Sequence, residues 1–298
     1  MLGLTNSLST PLVVSGGLFA VALDGTNDHV SVAHNSSIKP TAALTYSLWV
    51  NLDSGATGWV NPDGDPSSGH HFEYIIGCIK SGGYGVRLTY SGTAANPKTE
   101  IEAEIRVDNA GSGSADYIKP KWGGVGSTTG STTLHEIKDF SGWVHIAVTF
   151  DGRYARLYIN GSNDLNDGDV DTSGTQVVDS GGTGRVVQYG SNTALQIGAD
   201  VNHATNETTV HNYLIGGKID EVAIWDAAID ADGITKIYNS GTPGLDLTSA
   251  DGDYDNQGDL QGYWKFNEGT GTTVADSSSN SNTGTFRNSP SWVGTDHE

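Results

Sequence analysis

"GWVHIAVTFDGRYARLYINGS", residues 142–162, decides how this chain folds. Trp143, His145, Ala147 and Thr149 alternate with Val144, Ile146, Val148 and Phe150. That period of two puts each set on its own face of a strand. The tight "FDGR" connection at 150–153 returns the chain through "ARLYING" at 155–161. The stretch therefore reads as an antiparallel hairpin.

Comparable segments lie on both sides of it. Upstream are "LFAVALD" (18–24), "DHVSVA" (28–33), "LTYSLWVNL" (44–52), "FEYIIGCIK" (72–80), "GYGVRLTY" (83–90) and "TEIEAEIRV" (99–107). Downstream are "ALQIGAD" (194–200), "GGKIDEVAIW" (216–225) and "LQGYWKF" (260–266). Turn clusters such as "DGTND" (24–28) and "KSGG" (80–83) punctuate them. One helix is expected at 230–240, capped by Asp230, with Ile234 and Ile237 on its buried face and Gly241 at its end. The Gly-, Ser- and Thr-rich stretches 107–135 and 162–193 read as long surface loops. The expectation is an all-β, two-sheet antiparallel sandwich with one short helix.

Composition agrees and excludes partners. The chain has 298 residues, 41 of them glycine, and a single cysteine, Cys78, so no internal disulfide holds it. Lys and Arg total 15 against 35 Asp and Glu, a net charge of −20. That charge repels phosphate backbones and anionic lipid, which argues against nucleic acid and membrane as partners. The same acidity makes divalent cations plausible ligands. The first 18 residues read as an N-terminal arm without the basic region of a secretory signal. No apolar run approaches the ~20 residues that span a bilayer.

The order "LDGTNDHVSV" (23–32), "LTYSLWVNL", the hairpin, then "IDEVAIW" (219–225) with its helix resembles the laminin-G-like branch of the concanavalin A-like sandwiches. Pentraxins and many lectin-like modules share that order. The resemblance covers roughly residues 19–241 and implies a jelly roll with one concave sheet. "LQGYWKFNEGTGTTVADSSSNSNTGTF" (260–286) also looks like that family, in shifted order, as if circularly permuted. The sandwich is accordingly expected over 19–298, with 260–293 folding back to complete the sheets.

Two chemistries follow from the resemblance. Laminarinase-type retaining endo-glucanases of the same superfamily carry Glu-x-Asp-x-Glu on their active strand, where this chain has "EIEAE" (100–104). Glu100, Glu102 and Glu104 share one strand face. Retaining hydrolysis needs carboxyls ~5–5.5 Å apart, whereas positions 100 and 104 lie ~13 Å apart along a strand. Glu102 also replaces the shorter central Asp. The row is therefore expected to be a solvated strand face, with catalysis by Glu100 and Glu104 as the alternative. The second chemistry is a structural Ca2+, whose ligands map to Asp220 with Asp24, Asn27 or Asp28; hard oxygen donors suit that ion.

Other acidic and histidine motifs carry less. "DGDYDNQGD" (251–259) opens with the spacing of an EF-hand loop but lacks its Gly and its bidentate Glu, and "NDLNDGDVD" (163–171) is equally loose. His70 and His71 point to opposite faces of a strand and do not share a metal. There is no phosphate loop and no Ser-His-Asp order.

The functional expectation is a non-catalytic, lectin-like binding or structural module on a larger assembly, at a virion surface or outside the cell. Tail, fibre and capsid-surface proteins of aquatic phages carry such modules, and "MLGLTNSLS" (1–9) looks like their N-termini. Its partners would be glycans or virion neighbours, in a homo-oligomer or as part of an assembly. Sugars would stack on Trp59, Tyr84 or Trp122 beside Asn and Asp groups. The alternative is a retaining endo-glycosidase.

Overall fold

The structure is a computed structural model, and it describes residues 19–52, 71–79, 82–93, 96–108, 116–123, 142–163, 177–190, 192–200 and 215–295. The N-terminal arm lies outside these residues. Among the described residues seventeen strands form two antiparallel sheets, and one α-helix packs beside them.

The first sheet contains β1 (Phe19–Asp24), β3 (Leu44–Leu52), β9 (Val144–Phe150), β10 (Tyr154–Ile159), β11 (Val177–Asp179), β13 (Gly216–Trp225), β14 (Leu260–Trp264) and β17 (Ser291–Gly294). Its order is β11-β10-β9-β3-β13-β1-β17, with β14 also on β13. The second contains β2 (His29–Val32), β4 (His71–Gly77), β5 (Tyr84–Thr93), β6 (Asn96–Val107), β7 (Asp116–Ile118), β8 (Lys121–Gly123), β12 (Leu195–Ile197), β15 (Thr273–Val274) and β16 (Gly284–Arg287). Its order is β15-β16-β2-β12-β4-β5-β6-β7, with β8 also on β6.

The hairpin behaves as its alternation dictates. β9 and β10 pair from Ala155↔Phe150 to Ile159↔Ile146. Val144, Ile146, Val148 and Phe150 enter the core between the sheets, with Tyr46, Leu48, Val86, Ile101, Ala103, Ile105, Leu195 and Ile219. The opposite face of β9 is buried too. Ala147, Tyr158, Ala223 and Trp225 form a second cluster with Ile234 and Ile237 of the helix and with Leu247, Tyr254, Leu260 and Tyr263. One face of the first sheet thus meets the second sheet, and its outer face lies under the helix and the segment that follows.

That helix, α1 (Ala231–Tyr238), starts at Asp230, whose side chain accepts from the Gly233 amide at 2.9 Å. It ends earlier than Gly241, because Asn239 takes the left-handed conformation at φ 50°; asparagine tolerates that region and serves as a C-terminal stop. The expected loops 107–135 and 162–193 contain the short strands β7, β8 and β11. Three-residue strands leave too little periodicity to see, and their partners on β6 and β10 specify them.

The C-terminal strands enter both sheets. β14 pairs with β13 along 222–225, beside the run 216–219 taken by β1. β16 pairs with β2, and β17 with β1. At the seam between β1 and β14, β13 bulges between Asp220 and Ala223, with Glu221 at φ 50°. Among the described residues no helix is long and apolar enough to cross a membrane.

Candidate functional site

The core-facing residues of β5 and β6 are Tyr84, Val86 and Leu88, and Ile101, Ala103, Ile105 and Val107. Alternation then aims Arg87 and Thr89, and Glu100, Glu102 and Glu104, at the outer face of the second sheet. The register sets Arg87 opposite Glu102, and Glu102 opposite Lys121 of β8. The three glutamates do share a face, as their spacing predicts.

That face is not the solvated surface expected. Glu102 and Glu104 are only 3% and 6% exposed, and Arg87 is 8% exposed. Arg87 Nε donates to Glu102 Oε1 at 3.0 Å, Nη1 donates to the Tyr74 hydroxyl at 2.8 Å, and Nη1 lies 3.1 Å from Glu104 Oε2. Lys121 Nζ donates to Glu102 Oε2 at 2.7 Å and to Glu100 Oε2 at 3.2 Å. Lys119 Nζ lies 3.5 Å from Glu102 and 3.7 Å from Glu104. Buried like charges are tolerable only when paired and hydrogen-bonded, and here three cations face three carboxylates. Burial by itself would raise the Glu102 pKa. The Lys121 hydrogen bond and the Arg87 and Lys119 charges outweigh it and hold the carboxyl below its ordinary value.

Both carboxyls of the hydrolytic alternative have a cation beside them: Glu104 Oε2 lies 3.1 Å from Arg87 Nη1, and Glu100 Oε2 lies 3.2 Å from Lys121 Nζ.

The expected aromatic residues fare differently. Trp59 lies outside the described residues, as does His70, and nothing describes the His71 side chain. Tyr84 is fully buried, its hydroxyl donating to the Ile38 carbonyl at 2.9 Å and its ring 5.1 Å from Tyr46. It offers no ring face to a ligand, which corrects its assignment as a stacking residue. Trp122 sits opposite Ile101 at the rim of the core, partly buried. The ring that does reach solvent is Tyr117 of β7, 42% exposed and the one exposed large hydrophobic side chain among the described residues. Arg106 and Lys119 lie 5.7 Å and 5.6 Å from its centroid. Tyr117 and Lys119 escaped the sequence reading because they fell in a stretch taken for loop, although "YIKPK" (117–121) alternates. Arg87 was visible in the alternation of "GYGVRLTY".

The four residues expected to hold Ca2+ do not assemble. Asp24 pairs with Gly216, so Asp220 lies four residues further along β13, roughly 13 Å away. Asp24 Oδ1 accepts from the amides of Thr26, Asn27 and Asp28 at 2.8, 3.1 and 3.3 Å. Asp28 Oδ1 accepts from the Ser289 amide at 2.8 Å. Gly25 at φ +67° makes this turn, and a Cβ there would come within 3.2 Å of Gly216. Asp220 is wholly buried, and burial pushes its carboxyl well above the usual range, which favours the neutral form. The set does not fit one cation. Among the described residues no three His, Cys, Asp or Glu side chains are placed to share a metal. The 251–259 loop closes on itself through paired backbone hydrogen bonds between Asp251 and Tyr254. Most of 163–171 lies outside the described residues.

With this geometry in hand, known proteins supply the family. Residues 24–235 match the family described as the concanavalin A-like lectin/glucanases superfamily. Among curated proteins, none matches the sequence. The fold is similar to a protein of Bacteroides ovatus to which carbohydrate binding has been ascribed, at TM-score 0.52 and 17% identity, covering 94% of this chain. This chain spans 61% of that protein's length. A heptameric SAP-like pentraxin from Limulus polyphemus is similar at TM-score 0.37 and 14% identity, over 73% of this chain and 84% of its own. Domains LG4-5 of the mouse laminin alpha1 chain are similar at TM-score 0.39 and 9% identity, over 72% of this chain and 44% of theirs. At such identities the likeness is one of fold. The family match covers well over half of the 298 residues, and the chain belongs to the concanavalin A-like lectin/glucanases superfamily.

Proposed function

We propose that this chain is a non-catalytic, lectin-like carbohydrate-binding module. The observation that carries the reading is the neutralised carboxylate row: Glu102 is gripped by Arg87 and Lys121, with Lys119 close by. A row committed to internal ion pairs organises a sheet face, and each of its carboxylates already has a cation of this chain beside it. The glycan lies at the edge formed by β7 and β8, where Tyr117 presents a ring and Trp122 a partly buried one. The C–H face of a sugar stacks on such a ring without any acid, and neighbouring polar groups read its hydroxyls. Membership of a superfamily of lectins and glucanases, and the binding ascribed to the Bacteroides ovatus protein of like fold, support the same reading.

The test is affinity electrophoresis and calorimetry against laminarin, lichenan, agarose and carrageenan, with an assay for new reducing ends. Binding without turnover, weakened by Tyr117→Ala, is expected. Turnover that disappears in a Glu100→Gln/Glu104→Gln variant would make the protein an enzyme. Absence of binding to every polysaccharide would overturn the binding role. The reading extends to display outside the cell on a larger assembly such as a phage virion, singly or as a homo-oligomer. That extension is supported by the resemblance to phage tail, fibre and capsid-surface modules. Mass spectrometry of purified particles checks it, and a chain recovered only from the soluble cell fraction would remove it.

A further inference from the structure

We infer that the glycan recognised by this module is anionic, bearing carboxylate or sulfate, and that Tyr117 takes its ring while Lys119 takes its charge. The inference rests on the carbohydrate-binding reading and adds the ligand's chemical class.

Residues 116–123 form one edge of the second sheet, with β7 and β8 both on β6 and the Pro120 carbonyl accepting from the Ala103 amide at 3.0 Å between them. Three outward side chains follow along this edge: Tyr117, Lys119 and Lys121. Lys121 is spent, its ammonium held at 2.7 Å and 3.2 Å by two glutamates. Lys119 differs. Its side chain is 36% exposed, and its nearest carboxylate oxygens stand at 3.5 Å and 3.7 Å. These distances exceed the 2.7–2.9 Å of a charge-assisted N–H···O bond. The pairs neutralise part of the charge without saturating the donors. Lys119 is also 5.6 Å from the centroid of the exposed Tyr117 ring, and Arg106 is 5.7 Å from it on the neighbouring strand.

Charge decides the ligand class. The chain as a whole carries −20, so an anionic polymer is repelled from most of its surface. On this face Arg87, Arg106, Lys119 and Lys121 offset Glu100, Glu102, Glu104 and, beside Gly77 and Tyr74, Asp200, so the face escapes the negative excess of the chain as a whole. A neutral sugar gains only the stack from such a ring. An anionic sugar gains the stack and a charge-assisted bond from the donors of Lys119. Lysine and proline on an edge strand also deter sheet-to-sheet pairing, but that role requires no exposed ring between two cations.

The experiment compares neutral laminarin and agarose with polygalacturonate and carrageenan, which separate carboxylate from sulfate, at low and high salt. Wild type, Lys119→Gln, Lys119→Arg and Tyr117→Ala are used after their melting transitions are matched. Preference for at least one anionic polymer is expected, weakening with salt because the site is exposed. Lys119→Gln should lower that affinity about tenfold, the loss of one charged hydrogen bond, and Lys119→Arg should restore much of it. Affinity for neutral glycans equal to or above that for anionic ones, or indifference to Lys119→Gln, would overturn the inference and leave the carbohydrate reading standing. Binding to no glycan would overturn both.

Discussion

Arg87 stands directly across the β5–β6 pairing from Glu102, and two of its nitrogens, Nε and Nη2, converge on the single oxygen Oε1 at 3.0 and 2.5 Å. The pair is buried, and removing Arg87 takes the guanidinium from both Glu102 and Glu104, leaving Lys119 and Lys121 alone against three carboxylates. Arg87→Ala should cost about 3–5 kcal/mol, while replacing both residues by methionine should cost much less. Urea unfolding of the two variants checks this. A loss below about 1 kcal/mol for Arg87→Ala is the behaviour of an exposed pair and would contradict the burial.

Tyr263 offers a second relationship with a measurable consequence. Its hydroxyl contacts both the Glu221 carboxyl and the Leu245 carbonyl. Burial is the main cause that pushes this carboxyl up to about 8, and the Asp220 charge adds to it, while Tyr263 and Lys265 act the other way. A raised folded-state value means stability that is full below the ordinary carboxylate pKa and is lost as pH rises through about 8. The buried Asp220, also raised, contributes with the same sign. The urea midpoint should therefore fall between the ordinary glutamate value of 4.5 and about 8. Glu221→Gln should flatten that fall, and an unchanged pH profile in this variant would show Glu221 to be ionised throughout.

The N-cap of α1 is a local term. Asp230→Ala removes the acceptor for the Gly233 amide and should destabilise by about 1 kcal/mol, with Asp230→Asn recovering most of it. Thermal unfolding is sufficient to read both. The two substitutions should leave glycan binding alone, since α1 covers the outer face of the first sheet and the binding edge belongs to the second.

Asp24 and Asp220 belong to separate environments, so Asp24→Ala and Asp220→Asn should act additively. A double-mutant cycle in the presence and absence of calcium tests this. Coupling above about 0.5 kcal/mol that appears only with calcium would restore a shared metal site.

Much of the fold was legible in the chain itself. The period-two runs at 44–52, 142–162 and 216–225 set strand identity, and the Asp230 cap with Ile234 and Ile237 set the helix. Those signals are local, and neighbouring residues carry them. The common face of Glu100, Glu102 and Glu104 was legible for the same reason. Its character was not. Exposure and charge balance depend on what other strands bring alongside, and Arg87, Lys119 and Lys121 are distant in sequence or sat in a stretch read as loop. Tyr84 shows the same division: alternation assigns it to a face, but only the packing of two sheets makes that face the core. Asp220 and Asp24 stand apart because strand register, a long-range property, separates them by four positions. Sequence by itself determined which way side chains point. The tertiary structure decided which of those directions meet water, which meet an opposite charge, and where a ring remains open to a ligand, because each is a relation between strands brought together only by folding.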